Sequence, residues 1–242
     1  MLIHGVGLDL TMWDAQAGAL ASEFRVLRYD LLGHGQTPSR PITFGLRDFT
    51  GQLLSLLSYL RLNRVALIGF SMGGVIAQRF AADAPDRVGK LVLMNTVYRR
   101  RADELRGVTD RLKLTAAQGP EATAEAAIER WFTPAFRNAH PDVTAAVHKR
   151  LVTNDVQGYV DAYRVFVEAD RDIRNALTEV SCPALIVTGS DDVGSTPDMA
   201  RRMAADLRGA RVVILKGLRH MAPVEDPERI NHALITFLHE TA

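Results

Sequence analysis

The sequence predicts an α/β protein: a mostly parallel central sheet with helices on both faces and a block of helices inserted into it. Three observations predict this. Short apolar runs of strand length alternate with longer segments of helical periodicity through the first part of the chain. The alternation stops over residues 97–178, where only helical patterns occur, and then resumes. The strand-like runs are apolar along their length, as expected of parallel strands buried on both faces.

The elements follow in order. Met1-Leu2-Ile3 reads as the tail of a strand already begun, so a truncated start, or a fold without its first strands, is expected. Residues 25–29 read as a strand, followed by a loop dense in Gly and Pro, "DLLGHGQTPSRP". A helix is expected over 46–60, a strand from Val65, a helix over 72–82 and the strand "KLVLMN" ending at Asn95. The interruption carries helical patterns over 102–118, 121–132, 142–153 and 157–169. Beyond it come a strand over 183–189, a helix over 198–207, a strand over 211–217 and a closing helix over 228–239. The expected division is a core of residues 1–96 and 179–242 with a helical lid at 97–178.

Composition narrows the function. A chain of 242 residues, 47% hydrophobic, can bury a core as one domain with an insertion. Its 29 basic and 28 acidic residues give no electrostatic footprint for nucleic acid or an anionic membrane, so neither is an expected partner. No run approaches the roughly twenty apolar residues that cross a bilayer, and the start has no signal-peptide pattern. The one cysteine, Cys182, allows no internal disulfide and is expected to be buried and inert. That suits a reducing compartment, and a cytoplasmic location is expected. Homo-oligomer formation is left open.

Within "LIGFSMGGVIAQ", Ser71 sits between Gly69 and Gly73 where a strand pattern gives way to a helical one. A serine there can cap the helix. On a sharp strand-to-helix turn it can instead be a nucleophile, and side chains two residues to either side would then collide with the turn. Gly74 would further let the helix pack close to the strand. A hydroxyl nucleophile needs a base within hydrogen-bond reach. His140 and His148 fall in the helical insertion, and His232 and His239 in the last helix, while His4 and His34 stand beside glycines in structural positions. His220, in "KGLRHMAPVEDPE", follows a strand directly, at the edge where α/β sheets gather their sites. The carboxylate that orients it must be Asp191 or Asp192 in "PALIVTGSDD", with Asp192 favoured, because "KLVLMN" ends in Asn95 and Thr96. No His or Cys clusters with these aspartates, so no metal is expected. The glycine-rich "IHGVG" after the first strand offers a backbone N–H, with that of Val6 favoured. It would join that of Met72 as an oxyanion hole.

"HGVGLDLTMWDAQ", "RYDLLGHGQTP", "GFSMGG", "GSDD" and "RHMAPVEDP" together resemble the α/β-hydrolase superfamily along essentially the whole chain. The order Ser, Asp, His is that of this family. The resemblance implies Ser71 as nucleophile, His220 as base, Asp192 as orienting acid and Val6 and Met72 as oxyanion donors. About two strands that normally precede the "HG" loop are missing. "IERWFTPAFR" and "NDVQGYVDAYRVFVEAD" resemble the lid of 3-oxoadipate enol-lactonases, which act without cofactor or metal. A serine nucleophile sets the chain apart from the dehalogenases and epoxide hydrolases of this fold, which use aspartate.

The expected activity is hydrolysis of a small-molecule ester or lactone through an acyl-enzyme. A general carboxylesterase, a carbon–carbon bond hydrolase or a perhydrolase would use the same triad, and a ligand-binding receptor could keep it slow. Trp131, Phe132, Phe136 and Tyr163 are candidate pocket walls. Arg99, Arg100 and Arg101 read as a solvated charge run that could also attract a carboxylate.

Overall fold

The structure, a computed structural model, describes residues 1–39 and 43–240. Its centre is a six-stranded sheet in which every paired neighbour is parallel. The first strand, β1 (Leu2–Ile3), is followed by α1 (Asp14–Leu20), β2 (Arg28–Tyr29) and α2 (Leu46–Tyr59). Then come β3 (Val65–Phe70), α3 (Met72–Asp83) and β4 (Val88–Met94). Six helices separate β4 from the next strand: α4 (Ala102–Gln118), α5 (Glu121–Trp131), α6 (Pro134–Ala139), α7 (Pro141–Val152), α8 (Val156–Glu168) and α9 (Asp170–Ile173). The chain ends with β5 (Ala184–Gly189), α10 (Pro197–Asp206), β6 (Arg211–Leu215), α11 (Ala222–Glu225) and α12 (Pro227–His239). The strands lie in the order β2-β1-β3-β4-β5-β6.

The two-residue period of the strands divides the core. Leu67, Leu91, Leu93 and Ile186 face a cluster with Phe49 and Leu53 of α2, Ile76 and Phe80 of α3 and Met199 and Met203 of α10. Their neighbours Ile68, Phe70, Val92, Leu185 and Val187 face Leu20 of α1 and Ile230, Leu234 and Phe237 of α12. Buried residues of the helical block join both clusters: Tyr163 and Phe166 the first, Ile128 and Phe132 the second.

Several expectations are corrected. The strand expected over 25–29 contracts to Arg28–Tyr29, because its ladder partner β1 offers only Leu2 and Ile3. A short 3-10 turn (Leu10–Trp13) and α1 occupy a stretch with no expected element; the Asp9 side chain accepts the Thr11 N–H and starts the turn. Helix α6 begins at Pro134 with the Thr133 hydroxyl accepting the Phe136 N–H. Cys182 is half-buried rather than buried, and burial pushes its thiol up, so it stays protonated. Arg100 is not solvated: Asp170 and the Phe166 and Val167 carbonyls bind its guanidinium. The loop after β2 extends to Arg40 and Pro41, which lie outside the described residues.

Candidate active site

Parallel strands bring their carboxyl ends to one edge, and the chain leaves four neighbouring strands there with a polar side chain. Ser71 follows β3, Asn95 follows β4, Asp192 lies three residues past β5 and His220 five past β6. Ser71 has φ 52° and ψ −115°, left-handed backbone that side chains other than glycine rarely adopt. The turn is tight enough that a Cβ at Gly69 would lie 2.2 Å from the Gly73 carbonyl oxygen, and one at Gly73 2.2 Å from that of Ile3. Only glycine lets the helix start that close to both strands. A Cβ at Gly74 would lie 2.5 Å from the side chain of Thr96, two residues past β4.

The Ser71 side chain makes no capping bond to α3. Its Oγ lies 3.2 Å from His220 Nε2, while His220 Nδ1 lies 2.7 Å from Asp192 Oδ2. Asp192 is 3% exposed and fully committed: Oδ2 also accepts from Asn95 Nδ2 at 2.9 Å, and Oδ1 accepts the Gly194 and Ser195 N–H groups, each at 2.9 Å. Burial pushes the carboxyl up, but the His220 charge and these hydrogen bonds outweigh it and hold it below the ordinary carboxylate value. Asp191 instead accepts from its neighbour Ser190. Of the two aspartates, Asp192 is the one within hydrogen-bond distance of His220. Phe70 and Trp131 flank the imidazole, with ring centroids 5.0 and 5.8 Å away.

Met72 follows Ser71 as the first residue of α3, and Val6, in the β1 exit loop, lines the same cavity as Ser71. Neither amide donates a hydrogen bond among the described residues. His4 and His34 fasten that loop: His34 Nε2 accepts the Gly7 N–H at 2.9 Å, and His4 Nε2 accepts the Leu31 N–H at 3.0 Å.

A cavity of about 220 Å³ opens onto Ser71 and His220. Trp131 and Tyr163 line it. Phe132 and Phe136 do not: their rings stack on each other 5.3 Å apart, and Phe132, fully buried, points into the core. Tyr159, Phe166 and Val108 complete the apolar wall, on faces of α4 and α8 that helical periodicity alone cannot aim. Two further residues escaped sequence reasoning. Asn95 was visible only as the absence of an acid, and its contact with Asp192 comes from the register of β4 on β5. Glu225 accepts the Arg219 N–H at 2.9 Å and the Thr133 N–H at 2.6 Å, tying the His220 loop to the end of α5.

Among the described residues no cluster of His, Cys, Asp and Glu could hold a metal ion, and no helix is long and apolar enough to cross a membrane.

A strained serine between a sheet and a helix, facing an imidazole and a buried carboxylate from later strands, is an arrangement shared with a large class of enzymes. The chain matches the model of the alpha/beta hydrolase family over residues 1–233 and belongs to that family. It is 30% identical over 241 residues to (E)-2-((N-methylformamido)methylene)succinate hydrolase of Acinetobacter baylyi, covering 100% of this chain and 90% of that protein. It is 26% identical to 3-oxoadipate enol-lactonase 2 of the same organism, over 96% of this chain and 85% of the relative. The crystal structure of the enol-lactonase from Burkholderia xenovorans LB400 superposes with a TM-score of 0.91 at 31% identity, covering 99% of this chain and 90% of that one. The resemblance read from the motifs is borne out, and family and relatives support a hydrolase activity.

Proposed function

We propose that this chain is a serine hydrolase that opens a carboxylic ester or lactone through an acyl-enzyme, with 3-oxoadipate enol-lactone the first substrate to test. The observation that carries the reading is the line Ser71 Oγ, His220, Asp192, with spacings of 3.2 and 2.7 Å. In the proposed reaction Ser71 Oγ attacks the carbonyl carbon as His220 Nε2 takes its proton. The oxyanion is held by the free N–H groups of Val6 and Met72, and Asp192 stabilises the imidazolium. The carbon–oxygen bond to the leaving alcohol or enol breaks, and His220 returns the proton to that oxygen. Water, deprotonated by the same nitrogen, then attacks the acyl carbon, and Ser71 leaves with its proton restored. The helical block 97–178 serves as the lid on a core of 1–96 and 179–242.

Two observations favour a small substrate. The cavity volume of about 220 Å³ lies below the usual range of about 300–1,000 Å³ for ligand pockets, too small for a long acyl chain. The relatives carry names of small-acid hydrolases and lactonases. The test is the loss of enol-lactone absorbance with wild-type and Ser71→Ala protein, with p-nitrophenyl acetate alongside. Lactone turnover well above that of the acetate ester, lost in Ser71→Ala, is expected. Turnover no faster than the acetate ester overturns the lactone assignment and leaves a general esterase.

A further inference from the structure

Three arginines reach the cavity, and they differ in what neutralises them. Arg100 is paired with Asp170 at 2.6 Å. Arg111, from α4, and Arg130, from α5, form no ion pair with any carboxylate among the described residues. Each uses one of its five donors: Arg111 Nε donates to the Tyr163 hydroxyl at 3.2 Å, and Arg130 Nη1 to the Ala126 carbonyl of its own helix at 2.7 Å. The acidic residues on the same wall are engaged elsewhere. Glu104 accepts from Arg202 at 3.1 Å and from the Arg101 N–H at 2.6 Å, while Asp103 is largely exposed and nearest Arg101. Burial, and after it the neighbouring charge of Arg111, disfavours the charged form of Arg130. Two half-buried guanidiniums that line one cavity, with donors to spare, are stabilised by an anion between them.

We infer that Arg111 and Arg130, with the Tyr163 hydroxyl beside them, form an anion subsite in the catalytic cavity that selects esters or lactones bearing a second carboxylate. The selection of a reacting substrate rests on the hydrolase reading above; the binding of a carboxylate does not. A guanidinium fork donates two parallel hydrogen bonds to a carboxylate, which a neutral alkyl group of the same size cannot accept. The subsite therefore sets KM for the acidic substrate.

The experiment compares mono-p-nitrophenyl glutarate with p-nitrophenyl butyrate in wild-type, Arg111→Gln and Arg130→Gln protein, with thermal unfolding as the check on folding. Glutarate binding is measured by calorimetry in Ser71→Ala and in that variant combined with each arginine change. The ratio of kcat/KM for the acidic over the neutral ester should fall about 10- to 100-fold in each arginine variant, through KM, with a matching loss of glutarate affinity. Equal slowing of both esters, or glutarate affinity unchanged by the arginine substitutions, overturns the subsite while leaving the hydrolase. Arginine-dependent glutarate binding by a protein that hydrolyses neither ester keeps the subsite and overturns the hydrolase reading.

Discussion

Ser71 and Asp192 meet opposite nitrogens of His220, Asn95 meets Asp192, and each makes a distinct demand. Ser71 trades favourable backbone geometry for a hydroxyl directed at His220 Nε2, so Ser71→Ala should fold normally and lower kcat by about 10⁴- to 10⁶-fold in a steady-state ester assay. Asn95 holds φ 45° and donates to the carboxylate that braces the imidazole, which makes it a positioning residue. Asn95→Gly keeps that backbone conformation and removes the donor. It should lower kcat about tenfold with little change in KM, as expected from losing one hydrogen bond to a charged group. A parallel rise in KM would assign Asn95 to the cavity wall instead. The serine, histidine and aspartate were legible in the sequence because each follows an apolar run within a motif of its own. Asn95 was not, since its role exists only once β4 lies beside β5. Phe132 and Phe136 misled because helical spacing fixes which residues share a face, not whether that face meets a cavity or a neighbouring ring.

At the scale of elements, the turn from β3 into α3 depends on how closely the helix start approaches β1. In Gly73→Ala the new methyl would meet the Ile3 carbonyl oxygen, so helix and strand must separate. We expect a loss of about 1–3 kcal/mol in urea unfolding and a drop in activity, since the same displacement moves Ser71 away from His220. Unchanged stability and rate would show that the contact relaxes without consequence. The long buried elements, β3 to β5 and α2, α3 and α12, match their sequence patterns to within a residue or two because burial on one or both faces writes a strong period. Strand β2 and the segment from Leu10 to Leu20 were poorly legible for the opposite reason. The first is limited by a two-residue partner, and the second opens on a local cap rather than an apolar stripe.

For the whole molecule, the buried pair His4 and His34 links stability to pH. Each uses one ring nitrogen to accept a backbone N–H, which only the neutral ring can do, and burial depresses the first to about 4 and the second to about 3. Both are neutral, folded or unfolded, above the ordinary value of 6.5. As the pH falls below that value, the unfolded chain takes up two protons that the folded chain refuses, so stability is lost toward pH 4. The slope should approach about 2.7 kcal/mol per pH unit from these two residues. Urea midpoints between pH 7 and pH 4 measure it, and a flat profile would contradict the buried neutral pair. The proposed function stands on the reactivity of one hydroxyl, that of Ser71. Intact-mass spectrometry after exposure to a fluorophosphonate measures that reactivity directly. One adduct per chain is expected, on Ser71, absent in Ser71→Ala and strongly slowed in His220→Ala. A folded chain that takes no adduct, or takes it equally without Ser71, would contradict it.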